Sequence, residues 1–310
     1  MKYIIDMDIG DDIDDAIALY AAMRLNMDLL GVTTVFRNTR DRARQAKRLL
    51  MEYGQGYETV PVYTGHPHPM GKAPVDHPHI PHYTPDLKEE IFTPDGTEPE
   101  EAVDFIIDAC RKYGKDLTII AVGPFTNIGR AVEKDPEALN LAAKVAIMGG
   151  AFYKQYADWN VICDVKAADI MFRGLNNLEC LGADVTHLME AEERLYDNLL
   201  HYTGSEQGHT YLTLLCNLWR TNRPKAKLLL HDALVVYYVA DPTLCGMRSA
   251  SVLVMTEGFA SGMTLNVDAY GKRRYFPEAY EGFDENHKVL VAATANRNEF
   301  FDRIFRDFDC

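Results

Sequence analysis

KYIIDMDIGDDIDDAIALY, residues 2–20, opens the chain with an apolar run, an acidic loop and an Ala-rich apolar segment. This order predicts a first β-strand that delivers carboxylates to its C-terminal end, followed by an α-helix. In open α/β sheets, ligands bind at that end of the strands. Six aspartates fall within ten positions: Asp6, Asp8, Asp11, Asp12, Asp14 and Asp15. Carboxylates this close repel one another unless a cation lies among them, so the stretch predicts a metal site on the first βα turn.

Helix capping and solvated charge are the competing explanation of these aspartates. The positive end of the helix dipole explains one or two acidic residues before a helix, but not six in a loop after a buried strand. All the candidate ligands are carboxylates or carbonyls, which favours Ca²⁺ or Mg²⁺ over zinc.

The alternation of strand-like and helix-like segments continues along the chain. β-Branched apolar runs occur at 29–35, 60–65, 118–123, 144–150 and 178–186. Helical patterns separate them, which indicates a parallel sheet with helices on both faces. The segment 251–269, SVLVMTEGFASGMTLNVDA, alternates like an antiparallel hairpin. We therefore predict an α/β fold: an open, mostly parallel, doubly wound sheet with a Rossmann-like core, extra helices and a C-terminal β-hairpin. No linker or repeat is visible, which predicts a single domain over residues 1–310.

Composition and charge narrow the class of protein. The chain has 310 residues and a net charge of -14, which argues against a nucleic-acid or anionic-membrane partner. No apolar stretch approaches 18 residues, and a first strand at residue 2 leaves no room for a signal peptide. The six cysteines are scattered without CxxC pairs, which predicts reduced thiols in a cytoplasmic protein.

Residues 66–97 interrupt the βα rhythm with a segment rich in proline and histidine. Its five histidines are His66, His68, His77, His79 and His82. A long loop inside a compact α/β domain is usually functional or mobile. The alternating prolines favour extended backbone and no helical HxxxH spacing is present, so a flexible lid or interface loop is preferred to a second metal site.

Two other functions of the acidic stretch fit the sequence less well. The pair Asp6 and Asp8 resembles the DxD of haloacid-dehalogenase-type phosphatases, in which the first Asp is the nucleophile. Those enzymes usually continue with x and then Thr or Val, where this chain has Gly10. An EF-hand needs Gly at the sixth position and a closing Glu, and neither is present.

Seven motifs occur in an order that resembles the inosine–uridine-preferring nucleoside hydrolase family. They are DxDxG…DDA, VTTV..N, VPVYTG, GPFTNI, IMGGAF, WN.ICD..AA and HDALVV, and the resemblance runs from residue 3 to about residue 245. It implies hydrolysis of the N-glycosidic bond of ribonucleosides to ribose and free base, dependent on Ca²⁺. It also implies a homodimer or homotetramer.

The resemblance implies roles for individual residues. Asp8 and Asp15 would bind Ca²⁺ together with the backbone carbonyl of Thr126 and the carboxylate of Asp232. Asp8 would also take a proton from the attacking water, and His231 would act as acid toward the leaving base. The reaction passes through an oxocarbenium-like sugar, which an anionic site stabilises.

A second group of residues would hold the sugar. By the same resemblance, Asp14, Asn38 and Asn160 would bind the ribose hydroxyls, Met148 would line the pocket, and Asp158 would face the 5′-hydroxyl. The acidic loop is two residues longer than the family's short form, so Asp12 is the alternative to Asp14 on the ribose side.

Other departures put the base preference in doubt. Arg37 stands where the family usually has Gly, and the 66–97 loop lacks the usual HG-type segment. A non-catalytic nucleoside-binding or sensing protein on the same fold is the alternative that these changes motivate.

Overall fold

The structure is a computed structural model that describes residues 1–72, 91–195, 197, 209–268 and 283–308. Of the five histidines in the 66–97 loop, His77, His79 and His82 lie outside these ranges, so the lid prediction for this loop remains a prediction. Cys310 lies outside them too, and the five described cysteines are free and buried, as the sequence predicts.

Ten strands are described: β1 Lys2–Met7, β2 Asp28–Thr34, β3 Val62–Thr64, β4 Leu117–Ala121, β5 Lys144–Met148, β6 Leu178–Leu181, β7 Cys245–Ala250, β8 Val252–Val254, β9 Thr264–Asn266 and β10 Val289–Ala295. Eight of them form one sheet in the order β3-β2-β1-β4-β5-β6-β10-β7. All neighbours pair in parallel except β7, which is antiparallel to β10 at the edge. β8 and β9 pair as the predicted antiparallel hairpin.

Eleven helices are described: α1 Asp14–Arg24, α2 Thr39–Tyr53, α3 Pro99–Tyr113, α4 Thr126–Lys134, α5 Ala138–Leu141, α6 Trp159–Cys163, α7 Val165–Gly174, α8 Ala183–Thr186, α9 His209–Asn222, α10 His231–Ala240 and α11 Arg297–Asp307. Apolar side chains of α1, α2, α9, α10 and α11 form the core on one face of the sheet. Those of α3, α4, α5 and α7 form the core on the other face. The predicted doubly wound α/β fold is therefore confirmed.

The strand order places a topological switch point between β1 and β4. The chain runs outward from β1 to β2 and β3, then crosses back to β4 and continues to β5 and β6. The central strands are buried on both faces, and each fully buried Ile or Val side chain contributes ~1.5–3 kcal/mol to folding. The loops after β1 and β4 diverge at the switch point, which leaves a crevice at the carboxyl ends of these strands.

Two local predictions differ from the structure. The strand predicted over 178–186 ends at Leu181, because the amides of Val185 and Thr186 donate to the Gly182 carbonyl and so begin a helical turn. The short helix α8 follows directly. Asn160, read from the sequence as part of a loop, lies in α6, whose N-cap Asp158 accepts a hydrogen bond from the Asn160 amide at 3.1 Å. Asp164 caps α7, since its carboxylate accepts from the Ala167 amide at 3.1 Å.

None of the helices in the described ranges is both long enough and apolar enough to cross a membrane.

Candidate active site

A cavity of about 620 Å³ opens at the carboxyl ends of β1, β4 and β5. Most of the polar residues singled out in the sequence line it: Asp8, Asp11, Asp12, Asp14, Asp15, Asp158, Asn160, His231 and Asp232, together with Met148. The cavity therefore brings together residues from both ends of the chain, at the switch point where the fold predicts a ligand.

Three carboxylates form the densest part of the cavity wall. Asp14 and Asp15 begin α1, Asp232 lies in the first turn of α10, and these two helices pack together. One oxygen from each carboxylate lies within 4.8 Å of the others, and all three residues are buried. Burial, and then repulsion between neighbouring carboxylates, raises the pKa of each well above its usual value. A bound cation would remove this cost, so an all-oxygen donor set fits a hard divalent ion.

Asp8 lies beside this cluster at the end of β1. It is buried, and its amide donates to the Asp15 carboxylate at 3.2 Å. Burial raises the pKa of Asp8 to about 7, while the Arg42 guanidinium lowers it and the carboxylates of Asp11 and Asp6 raise it. The three most closely spaced carboxylates are those of Asp14, Asp15 and Asp232, and Asp8 is not among them.

Arg42 holds the longer acidic loop from inside the protein. Its guanidinium is fully buried and contacts Asp11 through Nη2 at 2.8 Å. Nε donates to the Phe36 carbonyl at 2.8 Å, and Nη1 donates to the carbonyls of Asp8 and Ile9. The charge of Asp11 is thus balanced by an arginine, which leaves it no evident role as a metal ligand.

Arg223 holds the same loop from the solvent side. Its Nη1 donates to the Asp12 carboxylate at 2.9 Å, and its Nη2 donates to the Asp11 carbonyl at 2.9 Å. Asp12 is therefore ion-paired at the rim, whereas Asp14 is buried next to Asp15 and Asp232. Of the two acids that the sequence left open for the ribose side, the geometry favours Asp14.

Asn160, Met148 and Asp158 form the opposite wall. The Asn160 side-chain amide donates to the carbonyls of Val122 at 2.7 Å and Met148 at 3.1 Å. Its oxygen is left to accept from a ligand in the cavity. Asp158 caps α6, and burial raises its pKa to about 6, although backbone N–H groups that donate to it, led by Gly150 and Asn160, lower it. This wall offers acceptors suited to hydroxyl groups.

Thr126 does not line the cavity. It is fully buried at the start of α4, and its hydroxyl donates to Asp164 at 2.7 Å. β4 ends at Ala121, so the next residue, Val122, reaches the crevice and lines it. The residue of this segment that lines the cavity is therefore Val122 and not Thr126.

Asn38 does not line the cavity either. It is exposed and precedes the first residue of α2. Phe36 and Arg37 adopt positive φ angles of 71° and 60°, and the turn they form directs Arg37 into the cavity wall instead. The Arg37 guanidinium lies 4.5 Å from the Phe36 ring centroid and 5.8 Å from that of Trp159. Asn38 therefore lies outside the cavity in this structure, and its expected ribose contact remains a prediction.

His231 lines the cavity next to Asp232, as the sequence predicts. Its Nδ1 lies 2.8 Å from the Thr186 hydroxyl oxygen. Burial, and then the neighbouring His187, lowers the pKa of His231 to about 4.

Five other residues of the wall were not identified from the sequence as site residues: Val122, Tyr156, Trp159, His187 and Arg223. His187 could have been found, because it follows the carboxyl end of a predicted strand. Tyr156, Trp159 and Arg223 lie in loops and helix ends without a readable signal.

Asp6 lies outside the cavity. It is fully buried and accepts hydrogen bonds from the Thr33 hydroxyl at 2.5 Å and from the Asn127 amide at 2.7 Å. A nucleophile must reach its substrate, so the phosphatase alternative is not supported.

Comparison with known proteins agrees with this fold and cavity. The family model for inosine-uridine preferring nucleoside hydrolases matches residues 3–302. Uridine nucleosidase 1 of Arabidopsis thaliana is 29% identical over 85% of this chain and 81% of its own length. A pyrimidine-specific ribonucleoside hydrolase of Escherichia coli is 30% identical over 78% of this chain and 79% of its own. A purine-preferring ribonucleoside hydrolase from Gardnerella vaginalis superposes with a TM-score of 0.80 at 26% identity, covering 99% of this chain and 98% of the other.

These comparisons identify an α/β hydrolase that acts on N-glycosyl bonds, and its cavity contains three carboxylates that could hold a metal ion. The chain belongs to the inosine-uridine preferring nucleoside hydrolase family.

Proposed function

We propose that this protein is a Ca²⁺-dependent ribonucleoside hydrolase that releases ribose and a free base. The observation that carries the proposal is the group of three buried carboxylates, Asp14, Asp15 and Asp232, in the wall of a cavity of about 620 Å³. Among the described residues, the two arginines that contact the acidic loop, Arg42 and Arg223, are already paired with Asp11 and Asp12. A bound cation would therefore supply the counter-charge for the three carboxylates.

The ion would be held by oxygen ligands from three segments. Asp15 and Asp232 belong both to the set implied by the sequence resemblance and to the group observed in the structure. Asp8 joins them from β1, and the Val122 carbonyl takes the part expected of Thr126. Four oxygen donors of this kind suit Ca²⁺ better than zinc. When bound, a divalent cation lowers the pKa of water in its coordination shell.

Asp8 would act as the general base of the reaction. The water oxygen bonds to C1′ of the ribose while the C1′–N bond breaks and its electron pair leaves with the base. The water proton passes to the Asp8 carboxylate, and the departing base would take up a ring proton from the protonated form of His231, which solvent then reprotonates. Positive charge develops on the sugar in the transition state, and the surrounding carboxylates stabilise it.

Ribose recognition would fall to Asp14, Asn160, Asp158 and Met148. The Asn160 amide nitrogen already donates to two carbonyls, so its oxygen is fixed in place as an acceptor for a ribose hydroxyl. Asp158 lies two residues away on the N-cap of α6 and would accept from the 5′-hydroxyl. A site built of such buried acceptors penalises substrates that lack the hydroxyls.

The leaving base would meet His231. The names of the relatives include uridine, pyrimidine and purine specificities, so a panel of ribonucleosides is needed to find the preferred base. We further propose a cytoplasmic homodimer or homotetramer, which light scattering of the purified protein would test.

The test is release of reducing sugar from a ribonucleoside panel that includes modified bases. We expect turnover that chelation abolishes and Ca²⁺ restores. Asp8→Asn should lower kcat by at least about 100-fold because it removes the base, with an unchanged circular dichroism spectrum. Asp104→Asn on the exposed face of α3 is the matched control and should leave kcat unchanged. Thermal stabilisation by nucleosides without any sugar release would favour a binding protein and would contradict the proposal.

A further inference from the structure

The cavity wall continues beyond His231 as a row of three rings. The ring centroids of His231 and His187 are 5.4 Å apart, with an interplanar angle of 68°. The ring of Tyr156 lies 5.2 Å from that of His187 at an angle of 76°. All three residues line the cavity, and Tyr156 is 41% exposed at its mouth. The row thus leads from the carboxylate cluster to solvent.

The fold fixes the two imidazoles relative to each other. α8 begins two residues after β6, and its last residue, Thr186, contacts Nδ1 of His231 at 2.8 Å. His187 is the next residue and presents its ring to the same cavity. The rings of His187 and His231 meet edge to face, so they are not joined in a coplanar chain of N–H···N bonds. Each ring instead faces the cavity separately.

The surroundings of His187 favour its neutral form. Burial, and then the charge of Lys154, lowers the pKa of His187, while Asp184 raises it. The Asp184 carboxylate accepts from the amides of Phe152 and Tyr153, and its backbone carbonyl accepts from Lys154 Nζ at 3.4 Å. The Asp184 carboxylate is thus held by backbone amides, and the positive charge of Lys154 acts on His187 from the same side of the cavity.

We propose that His187 is a second hydrogen-bond donor to the leaving base, acting in parallel with His231. The proposal rests on the proposed nucleoside hydrolysis. As the C1′–N bond breaks, negative charge collects on the base, and a neutral imidazole N–H aimed at an acceptor atom of that base stabilises it without itself changing protonation state. The preferred substrates are then bases with an acceptor atom on the edge that faces His187.

Two substitutions at His187 separate donation from packing. His187→Phe keeps a ring in the row but removes the donor, and His187→Gln restores an N–H. Each variant is assayed on the best ribonucleoside from the panel and on 4-nitrophenyl β-D-ribofuranoside, whose leaving group departs as a stable anion. We expect His187→Phe to lower kcat for the nucleoside about 10- to 100-fold and to change it less than about 3-fold for the nitrophenyl riboside. His187→Gln should recover most of the nucleoside activity.

Several results would overturn the inference. Equal losses on both substrates would mean that His187 only supports the fold of the wall, and no loss on the nucleoside would mean that it takes no part. The half-buried His287→Phe, outside the cavity, is the control and should leave both activities unchanged. A wild-type protein that hydrolyses neither substrate would contradict the proposed function itself, which keeps the two failures distinguishable.

A double variant distinguishes parallel donors from a relay. His231→Phe removes the first donor, and the pair His187→Phe with His231→Phe removes both. Parallel donation predicts that the double variant is at least about 10-fold slower on the nucleoside than either single variant, because each single variant retains one donor that the double variant lacks. A double variant no slower than His231→Phe alone would indicate that the two histidines act in series, and the proposal would be wrong.

Discussion

Asp158 is a single residue whose pKa is changed by its burial in the cavity wall. It is buried, and its pKa is raised from 3.8 to about 6 because burial disfavours the charged form. A carboxyl whose pKa is raised on folding contributes stability that is complete below its unfolded pKa and is lost as pH rises through the folded value. Above about pH 6 the folded protein therefore holds the Asp158 carboxylate charged at a cost in the free energy of unfolding.

Asp158→Asn should remove this pH dependence. Asn is an equally good N-cap, so α6 should persist. We expect the unfolding temperature of the variant, relative to wild type, to rise as pH increases from 4 to 7, measured with chelator present in both samples. A difference between the two proteins that is constant over this range would show that Asp158 ionises normally.

Asn38 and Asn160 separate what the sequence can predict from what only the fold decides. Both fit the family pattern equally well, yet Asn160 lines the cavity and Asn38 is exposed. The difference arises because Phe36 and Arg37, directly before Asn38, both adopt positive φ angles. Neither residue type favours this conformation, so the sequence does not predict it. The position of the Thr126 carbonyl is likewise not set by residue type, since it depends on where β4 ends.

Alanine substitutions should distinguish these two asparagines. We expect Asn160→Ala to lower kcat/KM for a ribonucleoside at least 10-fold, because two buried carbonyls lose their donor and the ribose loses an acceptor. Asn38→Ala should lower it less than about 3-fold. Steady-state kinetics at saturating Ca²⁺ provides both values, and a large loss for Asn38→Ala would mean that the loop after β2 turns inward when substrate binds.

The acidic loop between β1 and α1 is an element held by arginines as much as by its own sequence. Arg42 reaches it from α2 and uses three nitrogens on four oxygens, all without exposure to solvent. Aspartates crowded into one turn are readable from the sequence, and so is the metal that they imply. The partner cations are not readable, because Arg42 and Arg223 lie 31 and 211 residues from the acids they pair with.

Arg42→Met should destabilise the protein through this loop. The substitution keeps an apolar stem but leaves Asp11 and three carbonyls without their donor, so we expect a loss of about 3–5 kcal/mol in the free energy of unfolding. Arg173→Met on α7 is the matched control, since its guanidinium pairs with Asp169 one turn away and is 41% exposed; it should cost less than about 0.5 kcal/mol. Urea denaturation with chelator compares the two, and equal losses would contradict the role assigned to Arg42.

At the scale of the whole molecule, the alternation of strands and helices was sufficient to predict the architecture. β-Branched runs separated by amphipathic segments admit few arrangements other than a parallel sheet covered on both faces. The sequence did not predict that β10 would lie between β6 and the antiparallel β7. The order of the last strands depends on which exposed edge of the sheet each one pairs with. The single domain over residues 1–310 remains a prediction.

Metal binding should stabilise the protein as one unit. Because the folded state alone assembles the carboxylate group, Ca²⁺ at 100 times its dissociation constant should add about 2.7 kcal/mol to the free energy of unfolding. We expect a single thermal transition that moves to lower temperature with chelator and returns with Ca²⁺, measured by calorimetry. Two separated transitions would argue for two domains, and an unchanged transition would argue against the metal site.

The contact between Asp14 and Asp232 joins residues 218 positions apart in the chain. During synthesis on the ribosome, a chain that folds from its N-terminus carries Asp14 and Asp15 long before Asp232 emerges. Until α10 docks against α1, the early carboxylates have no partner across the cavity and no means of holding an ion tightly. Acquisition of the ion would therefore mark a finished chain, so a truncated product ending before residue 231 could neither bind the metal nor cleave nucleosides in the cell.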